Sequence, residues 1–236
     1  MLTSLHHPDR PGSRRRAFTL ADLLVVVAVI AVLVAVVVPV MVRNKAKARQ
    51  ALCVSNLKEV TRAVLLYTEE NQKAFPALDP SPPTGIWWWY KELVKGYMGL
   101  TGPSSPRDKL FACPDDRGYT DPGPFYKNAR FDYGSYVFNG VTLPTVTNLP
   151  SLAGLTVTAV KEPDKTLLMM EWSAHAPLSW HKSRTGKMNH PFYNDAESVV
   201  GFVDGRAKFI KIYYDGSNPA FTRDPIPGYE YKYSAD

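Results

Sequence analysis

Apolar positions follow two different rules along the first third of the chain. From Leu23 to Val42, twenty consecutive residues carry no charge. At ~1.5 Å rise per residue, a helix of that length spans the ~30 Å hydrocarbon core of a bilayer. Apolar residues then become periodic. Cys53, Leu57, Val60, Val64 and Tyr67 recur at steps of four, three, four and three, which is one face of a helix. Arg43, Lys45, Lys47, Arg49, Lys58, Glu59 and Arg62 fall mostly off that face. The two patterns join without a breaker, so one helix is expected from about Thr19 to about Asn71, stopped by Phe75-Pro76. Pro39 removes one backbone bond and should loosen the helix locally. A cleaved secretory signal has a shorter apolar core, about 7–15 residues, and would not run on into an amphipathic helix.

Downstream the pattern is shorter in range. "IWWWYKELVKGYMG" reads as a short helix, with Trp88, Glu92 and Lys95 at helical spacing. "GSYVFNG" and "DKTLLMMEWS" read as strands, bulky apolar runs bounded by turn residues. "SVVGFVDGRAKFIKIYY" reads as a β-hairpin turning at Asp204-Gly205, where glycine supplies a positive φ. Phe202 and Phe209 are expected to face the core. The tail after Pro219, rich in proline and tyrosine, reads as loosely ordered. The resulting fold class is α+β: a long N-terminal transmembrane-plus-amphipathic helix packed on a C-terminal antiparallel sheet. The divisions are a leader over 1–17, an apolar helix over 18–42, its amphipathic half over 43–74, and a globular domain over 75–236.

Composition changes this picture only slightly. The net charge is +6, but the first 17 residues hold Arg10, Arg14, Arg15 and Arg16 against Asp9. Without them the balance is 24 basic to 21 acidic residues, so the basic excess is partly a leader. No Lys/Arg face interleaved with aromatics follows, and nucleic acid is not an expected partner. Arginines ahead of the apolar run place the leader in the cytoplasm and the domain beyond the membrane. The two cysteines, Cys53 and Cys113, form no zinc-type pair in sequence.

One residue in the apolar stretch needs explaining. Asp22 puts a carboxylate where a charge is costly, and no basic residue follows within one turn. A partner on another chain, such as an N-terminal amine freed before Phe18, would answer it. The stretch "AFTLADLLVVVAVIAVLVAVVVP" resembles the processing signal of type IV prepilins and type II secretion pseudopilins. The resemblance implies cleavage between Ala17 and Phe18 by a prepilin peptidase, N-methylation of Phe18, and pairing of Asp22 with a neighbouring subunit's terminus. It also makes Pro39 the family's helix-loosening proline and implies a pilin-like fold. Two residues depart from the family's usual pattern: Ala17 stands for Gly, and Asp22 for Glu, one methylene longer. "CVSNLKEVTRAVLLYTEENQKAFP", "LFACPDD", "YGSYVFNG" and "PDKTLLMMEW" are similar to the pseudopilin-like proteins of planctomycetes and verrucomicrobia. Those end in a signature of His, about nine residues, then Asp-Gly. Here thirteen residues separate His190 from Asp204-Gly205.

Beyond the membrane the environment is oxidising, so a Cys53–Cys113 disulfide is reasonable, with two buried free thiols as the alternative. It would close a loop of about 60 residues and stabilise by a few kcal/mol. Glu171, His175, His181, His190 and Asp204 have ligand potential but no recognised metal spacing. No cofactor is expected; a cation held by Glu171, His190 and Asp204, or calcium at Asp115, Asp116 and Asp121, are the exceptions considered. Ser173, Ser179 and Ser183 neighbour histidines without a nucleophile elbow, so an enzyme is not expected. Trp87, Trp88, Trp89 and Tyr90 read as core rings or as an exposed platform for a sugar or protein partner. The expectation is a structural subunit, inserted in the inner membrane with its domain in the periplasm, trimmed, and assembled into a pseudopilus or pilus-like filament. Its partners would be other pilin subunits, the peptidase, an inner-membrane assembly platform and the lipid bilayer. The alternative is a single-pass anchored binding protein that does not polymerise.

Overall fold

The computed structural model describes residues 20–77, 89–118, 123–140, 150–174, 179–181, 196–213, 224 and 226–236. These residues fall into two compact units, divided between Lys45 and Ala46. Helix α1, Leu20–Glu70, is a single element of 51 residues that runs through Pro39. In the first unit every described side chain is exposed. This part carries the one helical window among the described residues that is long and apolar enough to cross a membrane. Ala17 and Phe18 lie outside the described residues; Asp22 sits in the first turn of α1.

In the second unit the rear of α1 is core. Cys53, Leu57, Val60, Ala63 and Val64 are buried. Tyr67, expected on the same stripe, is only half-buried. Three polar residues share the face. The Thr61 and Thr68 hydroxyls donate to the carbonyls of Leu57 (2.7 Å) and Val64 (2.8 Å), which satisfies them without leaving the helix. Asn56 donates to the carbonyls of Lys109 (3.1 Å) and Ala112 (2.9 Å) and ties the neighbouring loop to the helix. The helix stops at Glu70, ahead of Pro76, because Gln72 and Lys73 take left-handed φ values of 56° and 62°. Asn71 closes the end by donating its side-chain amide to the Tyr67 carbonyl at 2.7 Å.

Four strands, β1 Tyr136–Phe138, β2 Leu167–Glu171, β3 Glu197–Phe202 and β4 Ala207–Lys211, form an antiparallel meander in the order β1-β2-β3-β4. The β3–β4 turn carries Gly205 at φ 86°. A register irregularity between Leu167 and Met169 lets two consecutive residues, Leu168 and Met169, face the helix. Tyr136, Phe138, Val199 and Phe209 join them there, while Val137, Leu167, Met170, Val200, Phe202 and Ile210 face the other way. Phe202 and Phe209 thus reach opposite sides of the sheet. Because both sides are covered, β2 is buried at all five positions.

The second cover corrects one expectation. The described part of the C-terminal tail is ordered against the sheet: Ile226, Tyr231 and Tyr233 are buried in its outer cluster. Lys232 pairs alongside Thr166, and Asn139 clamps the tail by donating to the carbonyls of Leu167 (2.7 Å) and Tyr233 (2.8 Å). The tyrosine rings fill the apolar face that the helix does not reach. Helix α2, Tyr90–Val94, continues as a 3-10 turn over Lys95–Met98. Tyr90 is buried and donates to the Tyr136 carbonyl at 3.0 Å, and Trp89 meets Phe138 edge-on. Tyr90 is therefore a core ring and Trp89 packs partly buried against the core; Trp87 and Trp88 lie outside the described residues.

Candidate functional site

Cys53 of α1 and Cys113 are bonded to each other, which draws the loop after Phe111 onto the helix. That loop is held rigidly. Asp116 is buried and accepts from the backbone N–H of Gly118 (2.7 Å), Phe125 (3.0 Å) and Tyr126 (3.3 Å) and from the Ser135 hydroxyl (2.7 Å). Burial pushes its pKa up to about 6, although these four donors favour the charged form. With four hydrogen bonds to backbone and side chain it staples the loop together. Asp121 lies outside the described residues.

The segment Ser179–His181 is pinned to the same loop. Arg117 donates to the carbonyls of Ser179 and Trp180, both at 3.1 Å, and the Trp180 indole donates to the Gly118 carbonyl at 3.1 Å. Ser179 accepts from the His181 backbone N–H at 3.1 Å, and Ser173 pairs with Ser198 at 3.2 Å. Neither hydroxyl is set against the imidazole as a nucleophile. Ser183 lies outside the described residues.

His181 is the centre of the arrangement. Its Nε2 lies 2.8 Å from Oε1 of Glu171, the last residue of β2. Its Nδ1 lies 3.1 Å from Oδ2 of Asp115, whose other oxygen accepts from Arg49 Nε at 2.6 Å. Glu171 is fully buried, and its second oxygen accepts from the Val199 backbone N–H at 2.9 Å. Phe209 stands edge-on to the imidazole at 5.5 Å. Burial alone would lower the His181 pKa; the Glu171 and Asp115 carboxylates outweigh it, and the value stands above the ordinary one. The result is a chain of charges, Arg49–Asp115–His181–Glu171, leading from a half-exposed guanidinium to a buried carboxylate. The disulfide lies at its inner end, with Cys113 Sγ 3.9 Å from His181 Nε2. At its outer end is a cavity of about 580 Å³ lined in part by Lys47, Arg49, Asp115, Arg117, Trp180 and His181.

This grouping corrects the ligand set expected from sequence. Glu171 belongs to it, but Asp204 does not: it stays in the hairpin turn, where it accepts from the Arg206 backbone N–H at 3.0 Å and ion-pairs with the Arg206 guanidinium. His175 and His190 lie outside the described residues. In the sequence Asp115 belongs to an acidic loop run and His181 to a histidine-bearing stretch 66 residues on, and no spacing joins them. The available signal was the two-residue step from Cys113 to Asp115, and an acid ending the apolar run "LLMME".

Comparison with protein-family models, with curated proteins and with solved structures finds no match to this chain.

Proposed function

We propose that the chain is a pilin-like structural subunit, processed between Ala17 and Phe18 and assembled through its N-terminal helix into a pseudopilus or pilus-like filament. The observation that carries this reading is the double use of α1. Its first half presents apolar side chains from Leu23 to Val42 with none buried, and its second half is the core of the globular unit. A plain anchor does not require its span to be continuous with a domain's core helix; a subunit that must place a rigid head on a packed helical stalk does. The Arg14–Arg16 leader, Phe18-Thr19-Leu20 and Asp22 at the start of the apolar run support the same reading.

In such a filament the valine-rich helices leave lipid and pack on one another, and Asp22 sets their register by meeting a neighbour's N-terminal amine. A misplaced charge in that apolar surround is penalised, so register is enforced. Mass spectrometry of the mature chain should find Phe18 at the N-terminus, N-methylated. Asp22→Ala should insert in membranes normally and lose filament incorporation. A chain that retains Met1, or an Asp22→Ala variant that assembles normally, refutes the reading. The anchored binding protein is the second reading, and the cavity flanked by Lys47, Arg49 and Arg117 favours it. It predicts an untrimmed, solitary chain.

A further inference from the structure

We propose that Cys53, Cys113, His181 and Glu171 form a zinc-type metal site whenever the Cys53–Cys113 bond is reduced. One ligand atom from each of the four lies within 4.8 Å of all the others. Two thiolates, an imidazole and a carboxylate are a donor set that suits Zn²⁺ and excludes the oxygen-seeking Ca²⁺ and Mg²⁺. With Zn–S of about 2.3 Å and Zn–N of about 2.0 Å, neighbouring ligands of a tetrahedron stand roughly 3.3–3.8 Å apart. The 3.9 Å between His181 Nε2 and Cys113 Sγ is already close to such an edge. The 2.8 Å between Nε2 and Glu171 Oε1 must open slightly, and the two sulfurs must part.

The outer partners fit the same purpose. A metal-bound imidazole donates its other N–H to a carboxylate. Asp115 stands 3.1 Å from Nδ1 and is itself held by Arg49, which fixes Nε2 as the metal-facing nitrogen. The Val199 N–H orients Glu171 through the oxygen that does not face His181. The ligands come from α1, β2 and the two pinned loop segments, and the cavity beside His181 and Asp115 gives a metal its way in. The site is independent of whether the chain assembles.

The chemistry balances as follows. A phosphine reductant cleaves the S–S bond by taking one sulfur as a phosphonium. Water releases that sulfur, giving the phosphine oxide and leaving two thiols. Zn²⁺ then displaces the two thiol protons to solvent and takes the lone pair of a neutral Nε2, while Nδ1–H stays toward Asp115.

The test uses the full chain in a non-ionic detergent, with Co²⁺ as probe and Zn²⁺ as competitor. After phosphine reduction it should take up one Co²⁺ per chain, with a near-ultraviolet thiolate-to-cobalt band and the strong visible bands of tetrahedral cobalt; Zn²⁺ should erase both. The oxidised chain should show neither. His181→Gln should lose the tetrahedral spectrum, and Asp115→Asn, which keeps all four ligands, should weaken Zn²⁺ binding by about 10–100-fold. If reduction alone unfolds the chain, Zn²⁺ should restore its circular dichroism. Equal uptake before and after reduction overturns the proposal. So does a reduced chain that binds cobalt without the thiolate band, binds none, or stays unfolded with Zn²⁺.

Discussion

Helix α1 and strand β3 approach each other closely at one point, and that point makes a sharp test of how the globular unit is put together. Gly201 of β3 lies on the helix-facing side of the sheet. A Cβ built there would stand 2.1 Å from Thr61 Oγ1 and 3.2 Å from both Thr61 Cβ and Cγ2, against an ordinary contact of 3.4 Å or more. Rotating the Thr61 hydroxyl away gives up its bond to the Leu57 carbonyl and still leaves the Thr61 Cβ at 3.2 Å. Either the helix or the strand must therefore move. Overpacking a close-packed core costs about 1–3 kcal/mol, and the lost hydroxyl bond adds up to about 1 kcal/mol. Gly201→Ala should thus destabilise by about 2–3 kcal/mol, which for a unit of this size lowers Tm by about 4–12 °C. Thr61→Ala alone should cost about 1 kcal/mol. In the double variant the nearest helix atom is the residue-61 Cβ at 3.2 Å, a contact a small shift relieves. The pair should therefore be more stable than the sum of its parts by at least about 1 kcal/mol. Thermal melts of the full chain in detergent, followed by near-ultraviolet circular dichroism, measure all four species. Strict additivity, or a Gly201→Ala protein that melts like the parent, would show that helix and sheet do not meet at this register.

Two further outcomes follow from the tail. Asn139→Ala removes the hydrogen bonds that join the residue after β1 to the Leu167 and Tyr233 carbonyls; it should cost about 1–3 kcal/mol and make the C-terminal residues the first site of limited proteolysis. Glu162 ion-pairs with Lys165 at 2.5 Å and with Lys232 of the tail at 2.7 Å; hydrogen bonds from these two lysines, with their positive charges, hold its pKa down to about 2. A depressed carboxylate stabilises above its unfolded value, about 4.3, and that contribution disappears as pH falls through about 2. The parent should therefore lose stability over that acid range more steeply than Glu162→Gln, and because the pair is partly exposed the difference should shrink in high salt.

What the sequence made legible was local. The apolar step pattern from Cys53 to Tyr67 locates the buried half of α1, and Asp204-Gly205 locates the hairpin, because each depends on spacing within a single element. What escaped depends on distant neighbours. Asn56, Thr61 and Thr68 look like solvent residues, yet all three are buried because their polar atoms find carbonyls in the helix or in the Lys109–Ala112 loop. The tail after Pro219 reads as loosely ordered in sequence, yet Ile226, Tyr231 and Tyr233 are buried because the sheet's outer side needs a cover. The site was only half visible for the same reason: Glu171, His181 and Asp115 come from three separated segments, and nothing in their spacing says that Arg117 and Trp180 pin the second to the third.

The Cys53–Cys113 pair can be considered in both redox states on the same physical footing. As a disulfide it closes a loop of 60 residues between α1 and the Cys113 loop, worth up to about 4 kcal/mol in the chain-entropy account. As two thiols it would leave two sulfurs and a buried Glu171–His181 pair beside a loop held to the helix through Asn56 and Arg49 but no longer covalently. A metal bound in their place would restore the same closure and extend it, since Glu171 brings in β2 and His181 brings in the Ser179–His181 segment. The closure that matters is the tie between these elements, and the two chemistries are alternative ways of making it.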